Sequence, residues 1–199
     1  MTRQLMIAFR MMLVMTVLTG LMYPDLVTGL AQGLFPAQAD GSLVQQRGQV
    51  IGSSLIGQNF TRPEYFHPRP SAVNYDASLS GGSNLGPTSR VLIERVQGDA
   101  EKFRSENPDV PGPLPADLLT TSGSGLDPHI SPASALAQAP RVARARGVPL
   151  AEIGRLIQDW TEPRDLGIFG EPRVNVFLLN LALDARFPLS AQKSKTLTP

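Results

Sequence analysis

The side chains with the most chemical reach in this sequence are few. His67 and His129 are the only histidines among 199 residues, and cysteine is absent, which excludes a disulfide scaffold and a thiolate-ligated metal. Neither histidine belongs to an HxxxH or similar pair that would place two imidazoles around one metal ion. Ser122-Gly123-Ser124-Gly125 lacks the G-x-S-x-G order of a nucleophile elbow. Asp127-Pro128-His129 reads as a turn rather than an acid–base pair. There is no G-x-x-x-x-G-K-[ST] loop and no spaced G-x-G-x-x-G. "LSGGS" at 79–83 offers the backbone of Ser80, Gly81, Gly82 and Ser83 as a weak phosphate cradle, but a plain glycine turn is the stronger reading. No nucleophile, base or cofactor site emerges, so the chain reads as non-catalytic and as binding no cofactor directly.

A second concentration of chemistry is aromatic. "NFTRPEYFHPRPSAVNYDASLSGGSN", residues 59–84, holds Phe60, Tyr65, Phe66 and Tyr75, from a chain with eight Phe and three Tyr. It also holds Pro63, Pro68, Pro70, Gly81 and Gly82, which no helix or central strand tolerates. Two readings fit. In the first, the segment docks a neighbour, with Asn59, Phe60, Tyr65, Phe66, Arg69 and Asn84 at the contact. In the second, it is an irregular lid packing its aromatics on the chain's own core.

The elements that position these residues begin with an apolar front. All six methionines lie within the first 22 residues, and residues 11–24 carry no charge. Met11 to Leu30 supplies the length of about 20 mainly apolar residues that a spanning helix needs, with Asp25 near its far end. Ala37-Gln38-Ala39 would serve a signal peptidase, but it stands too far beyond Tyr23, so an uncleaved anchor is favoured. Arg3 and Arg10 precede the span and the next basic residue is Arg47, which puts the N-terminus in the cytoplasm and the remainder outside. Met11, Met15, Leu18 and Met22 share one helical stripe. Thr16, Gly20 and Gly29 are small residues suited to close approach of another helix. Beyond the span the charges balance, so nothing indicates nucleic acid.

The external part predicts an α+β fold. "SLVQQRGQVIGSSLIGQNF" reads as one or two short strands. Ser89 caps a helix with Leu92, Val96, Ala100 and Phe103 on one stripe, stopped at Asn107-Pro108. A short strand is expected near "LLTTS", residues 118–122. Ser131 and Pro132 open a helix that Pro140 should kink and Gly147 ends, with Arg141, Arg144 and Arg146 complementing its dipole. Pro149 opens another, with Leu150, Ile153, Ile157 and Trp160 on one face. "RVNVFLLNLALDARF" is a closing helix, or a strand running into one. The expected organisation is a cytoplasmic 1–10, a transmembrane helix with its outer flank at 11–35, an extracytoplasmic α+β domain at 36–190 and a disordered tail at 191–199.

"GSSLIGQNF" (52–60), "YFHPRPSA" (65–72), "SGGSNLGPTS" (80–89), "SGSGLDPHISPASA" (122–135), "PRVARARGV" (140–148) and "VNVFLLNLALD" (174–184), behind "TGLMYPDLVTGLAQGLFPAQADGSL" (19–43), together resemble the C chain of the bacterial potassium-transporting Kdp ATPase. The resemblance runs from about Arg10 to Asp184. It departs at Asp25, where an apolar residue is usual, and at Leu178, where a Glu would complete a capping box with Asn175. It implies a single-pass inner-membrane accessory subunit with a periplasmic domain, needed for assembly and activity. It also implies two partners: a channel-like subunit that binds the potassium, and a P-type ATPase subunit whose affinity for ATP this chain raises. ATP and potassium therefore belong to the complex and its other subunits. The alternatives are a membrane-tethered periplasmic module for a small ligand, and a secreted hydrolase after signal cleavage.

Overall fold

The computed structural model describes residues 1–189, so the expected tail at 191–199 lies outside the described residues. The chain divides into two compact units, the first Met1–Ser53 and the second beginning at Ser54.

The first unit is a helix followed by a hairpin. Helix α1 (Thr2–Val17) passes through a π-helical turn at Leu18–Met22 into α2 (Tyr23–Leu34). The helix therefore starts nearer the N-terminus than the uncharged run at Met11, and carries Arg3 and Arg10 in its first turns. Its 33 residues extend for about 50 Å at 1.5 Å per residue, longer than the roughly 30 Å of bilayer hydrocarbon. Pro24 accounts for the π turn. It has no N–H, and its ring crowds the carbonyl four residues back, at Gly20. The Tyr23 amide accordingly reaches Leu18 O, five residues back. An even stripe through Met11, Met15, Leu18 and Met22 presumes unbroken α spacing, so Met22 falls out of its register. After a four-residue helical turn α3 (Pro36–Ala39), β1 (Leu43–Gln46) and β2 (Gln49–Ser53) pair antiparallel. Arg47 and Gly48 turn the hairpin with positive φ at both positions, the geometry that matches strand twist.

The second unit packs helices on a three-stranded antiparallel sheet, confirming the α+β expectation. Helix α4 (Arg90–Glu106) is capped by Ser89, which accepts from Leu92 N, and its Leu92, Val96, Ala100 and Phe103 stripe is half-buried. The expected strand near residues 118–122 is absent. Ala116–Leu118 is a 3-10 turn, and Asp117 within it accepts from Ser131 N, Ser131 Oγ and Ser134 Oγ, so side-chain bonds rather than a ladder hold this segment. Strand β3 (His129–Ile130) leads into α5 (Pro132–Arg146), which runs through Pro140 to Gly147 in the left-handed conformation. Helix α6 (Leu150–Asp159) and β4 (Thr161–Glu162) follow. Strand β5 (Arg173–Asn175) runs directly into α7 (Val176–Arg186), with Asn175 as both last strand residue and helix cap. The cap needs no Glu at 178. The strand order is β3-β5-β4.

Ile130, Val142, Ile153, Leu156, Ile157, Val174, Val176, Leu179 and Leu183 form the core, joined by Phe66 from the irregular segment. Leu150 and Trp160, expected on the buried face of α6, are exposed. They stand at the first helical residue and at the C-cap, where the chain turns away, and Leu156 packs in their place.

Candidate functional site

Two regions carry the residues singled out above. On the N-terminal apolar helix, Thr16, Gly20 and Gly29 are all exposed, and no residue from Thr2 to Leu34 is buried. Thr19 Oγ1 donates to Met15 O at 2.7 Å, a back-bond that bends helices just ahead of the π turn. A Cβ placed on Gly20 would meet only Thr16 Cγ2, at 3.9 Å, and one on Gly29 would meet nothing. The bareness of these two glycines serves no contact among the described residues.

The second region is the 59–84 segment, and here the lid reading prevails. Phe66 is fully buried in its own unit, which removes it from any docking surface. Its backbone is clamped by a carboxamide: Phe66 N donates to Asn180 Oδ1 at 2.9 Å, and Asn180 Nδ2 donates to Phe66 O at 3.0 Å. The next residue is held the same way, with His67 N to Gln138 Oε1 at 2.7 Å and Gln138 Nε2 to His67 O at 3.0 Å. Two buried side chains on α7 and α5 thus act as strand partners for a segment whose prolines bar it from a sheet. Arg141 spends four of its five hydrogens in the same cause, donating to Asn107 Oδ1, Pro63 O, Tyr65 O and Gln138 Oε1. Arg146 donates to Glu64 O and Phe187 O and pairs with Asp184 at 2.8 Å, while its guanidinium lies 4.9 Å from the centre of the Tyr65 ring. Tyr65 OH donates to the same Asp184 at 3.0 Å. Of the three arginines assigned to the helix dipole, Arg141 and Arg146 are therefore lid clamps, and only Arg144 is exposed.

The remaining site residues distribute accordingly. Phe60 is half-buried against Tyr65 and Phe177. Arg69 pairs with Asp127 at 3.1 Å. Asn59 and Asn84 are exposed. "LSGGS" does not stand open as a cradle: Gly81 N donates to Ser124 O at 2.8 Å, laying this loop on the Ser122–Gly125 stretch. Gly125, at φ +71, lets the two approach, since a Cβ there would strike Val73 Cγ2 at 2.7 Å and Gly81 O at 2.9 Å. His129 N donates to Asp127 Oδ1, the turn expected of Asp-Pro-His.

Burial sets the electrostatics. It pushes the Tyr75 hydroxyl up to about 12 and the Arg141 guanidinium down to about 10, still protonated at neutral pH. His67 is held below the ordinary histidine value by burial and then by the Arg141 charge. Its ring lies 3.1 Å from Arg62 O and 3.5 Å from Glu106. Burial alone would raise Glu64 and Asp127, yet both are lowered: Glu64 by its backbone hydrogen bond and Arg62, Asp127 by hydrogen bonds from His129 and by Arg69. Cavities of about 350 and 370 Å³ lie beside His67, and Glu106 lines both. Arg144 also lines the first, and Arg69 and Lys102 the second.

The decisive comparison is with protein families. The family described as "K+-transporting ATPase, c chain" matches residues 5–185. The chain belongs to that family. A Myxococcus xanthus protein named potassium-transporting ATPase KdpC subunit is 60% identical over 183 residues, covering 90% of this chain and 87% of the relative. Proteins of the same name from Rhodospirillum rubrum and Caulobacter sp. are 57% identical over 178 residues and 58% over 181, with 88% and 89% of this chain covered and 92% and 91% of theirs.

Within this C-chain member, sequence reading passed over Asn180, Gln138, Arg146 and Asp184 as parts of the lid. The signal was present: Asn180 interrupts "LLNLAL" and Gln138 interrupts "ALAQAP", polar residues inside otherwise apolar helix faces. Such a residue needs a buried partner, and a proline-rich segment with unpaired backbone supplies one.

Proposed function

We propose that this chain is a non-catalytic accessory subunit of an ATP-driven potassium uptake complex in the inner membrane. It assembles with a channel-like potassium-binding subunit and a P-type ATPase subunit. Its N-terminus is cytoplasmic and its α+β domain periplasmic, because Arg3 and Arg10 precede the span and balanced charge follows it. The observation that carries the reading is the family match across residues 5–185. The apolar helix, with no buried residue and with bare Gly20 and Gly29, supports assembly through the membrane.

The chain raises the ATP affinity of the ATPase subunit by biasing its conformations through subunit contacts. Direct nucleotide contact at Ser80–Ser83 finds no support, since Gly81 N is engaged within the domain. The test is the apparent KM for ATP of potassium-stimulated hydrolysis, measured on complex purified with and without this chain. A higher KM without the chain is expected. An unchanged KM and unchanged turnover would leave it no coupling role.

A further inference from the structure

The connection between β4 and β5, residues 163–172, breaks two rules at one place. Leu166, Ile168 and Phe169 are 90%, 70% and 60% exposed, and among the described residues Leu166 is more exposed than any other large apolar residue except Met1. Leu166 also has φ +53, followed by Gly167 at φ +78, with Ile168 N donating to Asp165 O across the turn. A turn with positive φ at both central positions favours Asn or Asp followed by Gly. A branched apolar residue there is unfavourable both for the backbone and for its hydration, and such conflicts concentrate at functional positions.

The tip is braced. Asp165 and Phe169 exchange backbone hydrogen bonds at 2.9 Å in both directions. Arg173 pairs with Asp165 at 3.2 Å and Glu162 at 2.9 Å, and Arg164 with Glu171 at 2.6 Å. Two arginines thus face three carboxylates around an apolar knob. That collar disfavours an anionic lipid surface, which recruits basic surplus. An apolar centre within a polar rim is the anatomy of a protein–protein contact.

We propose that Leu166, Ile168 and Phe169 insert into an apolar socket with a basic rim on another subunit of the transport complex. The proposal rests on the accessory-subunit reading. The test uses the full-length chain in the complex, purified in mild detergent. Leu166→Asn suits the turn better, so its thermal midpoint should equal or exceed that of the native chain, while Leu166→Asn with Ile168→Thr should lower retention of the larger subunits by roughly tenfold under stringent washing. A photo-crosslinking residue at 168 should form an adduct identified by mass as one of the other transport subunits. Undiminished retention, or an adduct only with lipid or with a second copy of this chain, overturns the proposal. If the native chain itself retains no larger subunit, the accessory-subunit reading fails instead.

Discussion

Replacing Asn180 by leucine should release the lid. Phe66 is 0% exposed and Asn180 1%, so no water can take over the bonds at 2.9 and 3.0 Å. The substitution orphans one buried N–H and one buried C=O at about 1–3 kcal/mol each, while leucine nearly fills the space, giving a net loss of roughly 2–4 kcal/mol. That is a large share of the roughly 10 kcal/mol typical of whole-protein stability. Trp160, the single tryptophan, reports unfolding of this unit in a denaturant titration of the full chain in detergent. Where opening is local, chymotrypsin cleavage after Tyr65 or Phe66 should accelerate even though the global midpoint moves less. Gln138→Leu should behave alike, and the double variant should lose less than the sum, because the lid is already free. A loss below about 0.5 kcal/mol together with unchanged cleavage would refute the clamp, since one orphaned group alone exceeds that.

Gly20→Leu should disrupt assembly while leaving Trp160 unfolding unchanged, because among the described residues a Cβ there would meet only Thr16 Cγ2, at 3.9 Å; Leu18→Ile is the silent control, and a fully assembled, active Gly20→Leu complex would discard helix packing at this face. His67 titrates below the ordinary value, so the unfolded chain binds more protons and stability should decline as pH falls below about 6.5. His67→Gln should flatten the stability profile between pH 5 and 7, to about half the native slope or less; an unchanged slope there would assign it to other groups, since Glu64 and Asp127 act only at lower pH. Cysteine placed at the exposed Asn84 should react with an impermeant thiol reagent in intact spheroplasts, and cysteine at Thr2 should not; the reverse pattern would invert the topology.

Much of the fold was legible because its signals are local. Ser89, Ser131 and Asn175 cap helices through their own side chains, and Gly147 ends one in the conformation only glycine adopts cheaply. The N-terminal apolar helix was equally plain, yet its π turn follows from Pro24 acting on Gly20, which a stripe drawn at α spacing overlooks. Residues 59–84 resisted because their partners are distant in sequence: Asn180 lies 114 residues from Phe66, and Gln138 lies 71 from His67. Composition marks the segment as sticky without saying what it sticks to. The missing strand near 118–122 failed for a related reason, since Asp117 takes its partners from the start of α5.

The most direct test of the central claim is affinity purification of the tagged full-length chain from native membranes in mild detergent, with stoichiometry read by mass spectrometry. Co-elution of a polytopic channel-like protein and a P-type ATPase is expected, with ATP hydrolysis that responds to potassium. Elution as a lone monomer, with a bound small solute or without one, would contradict it.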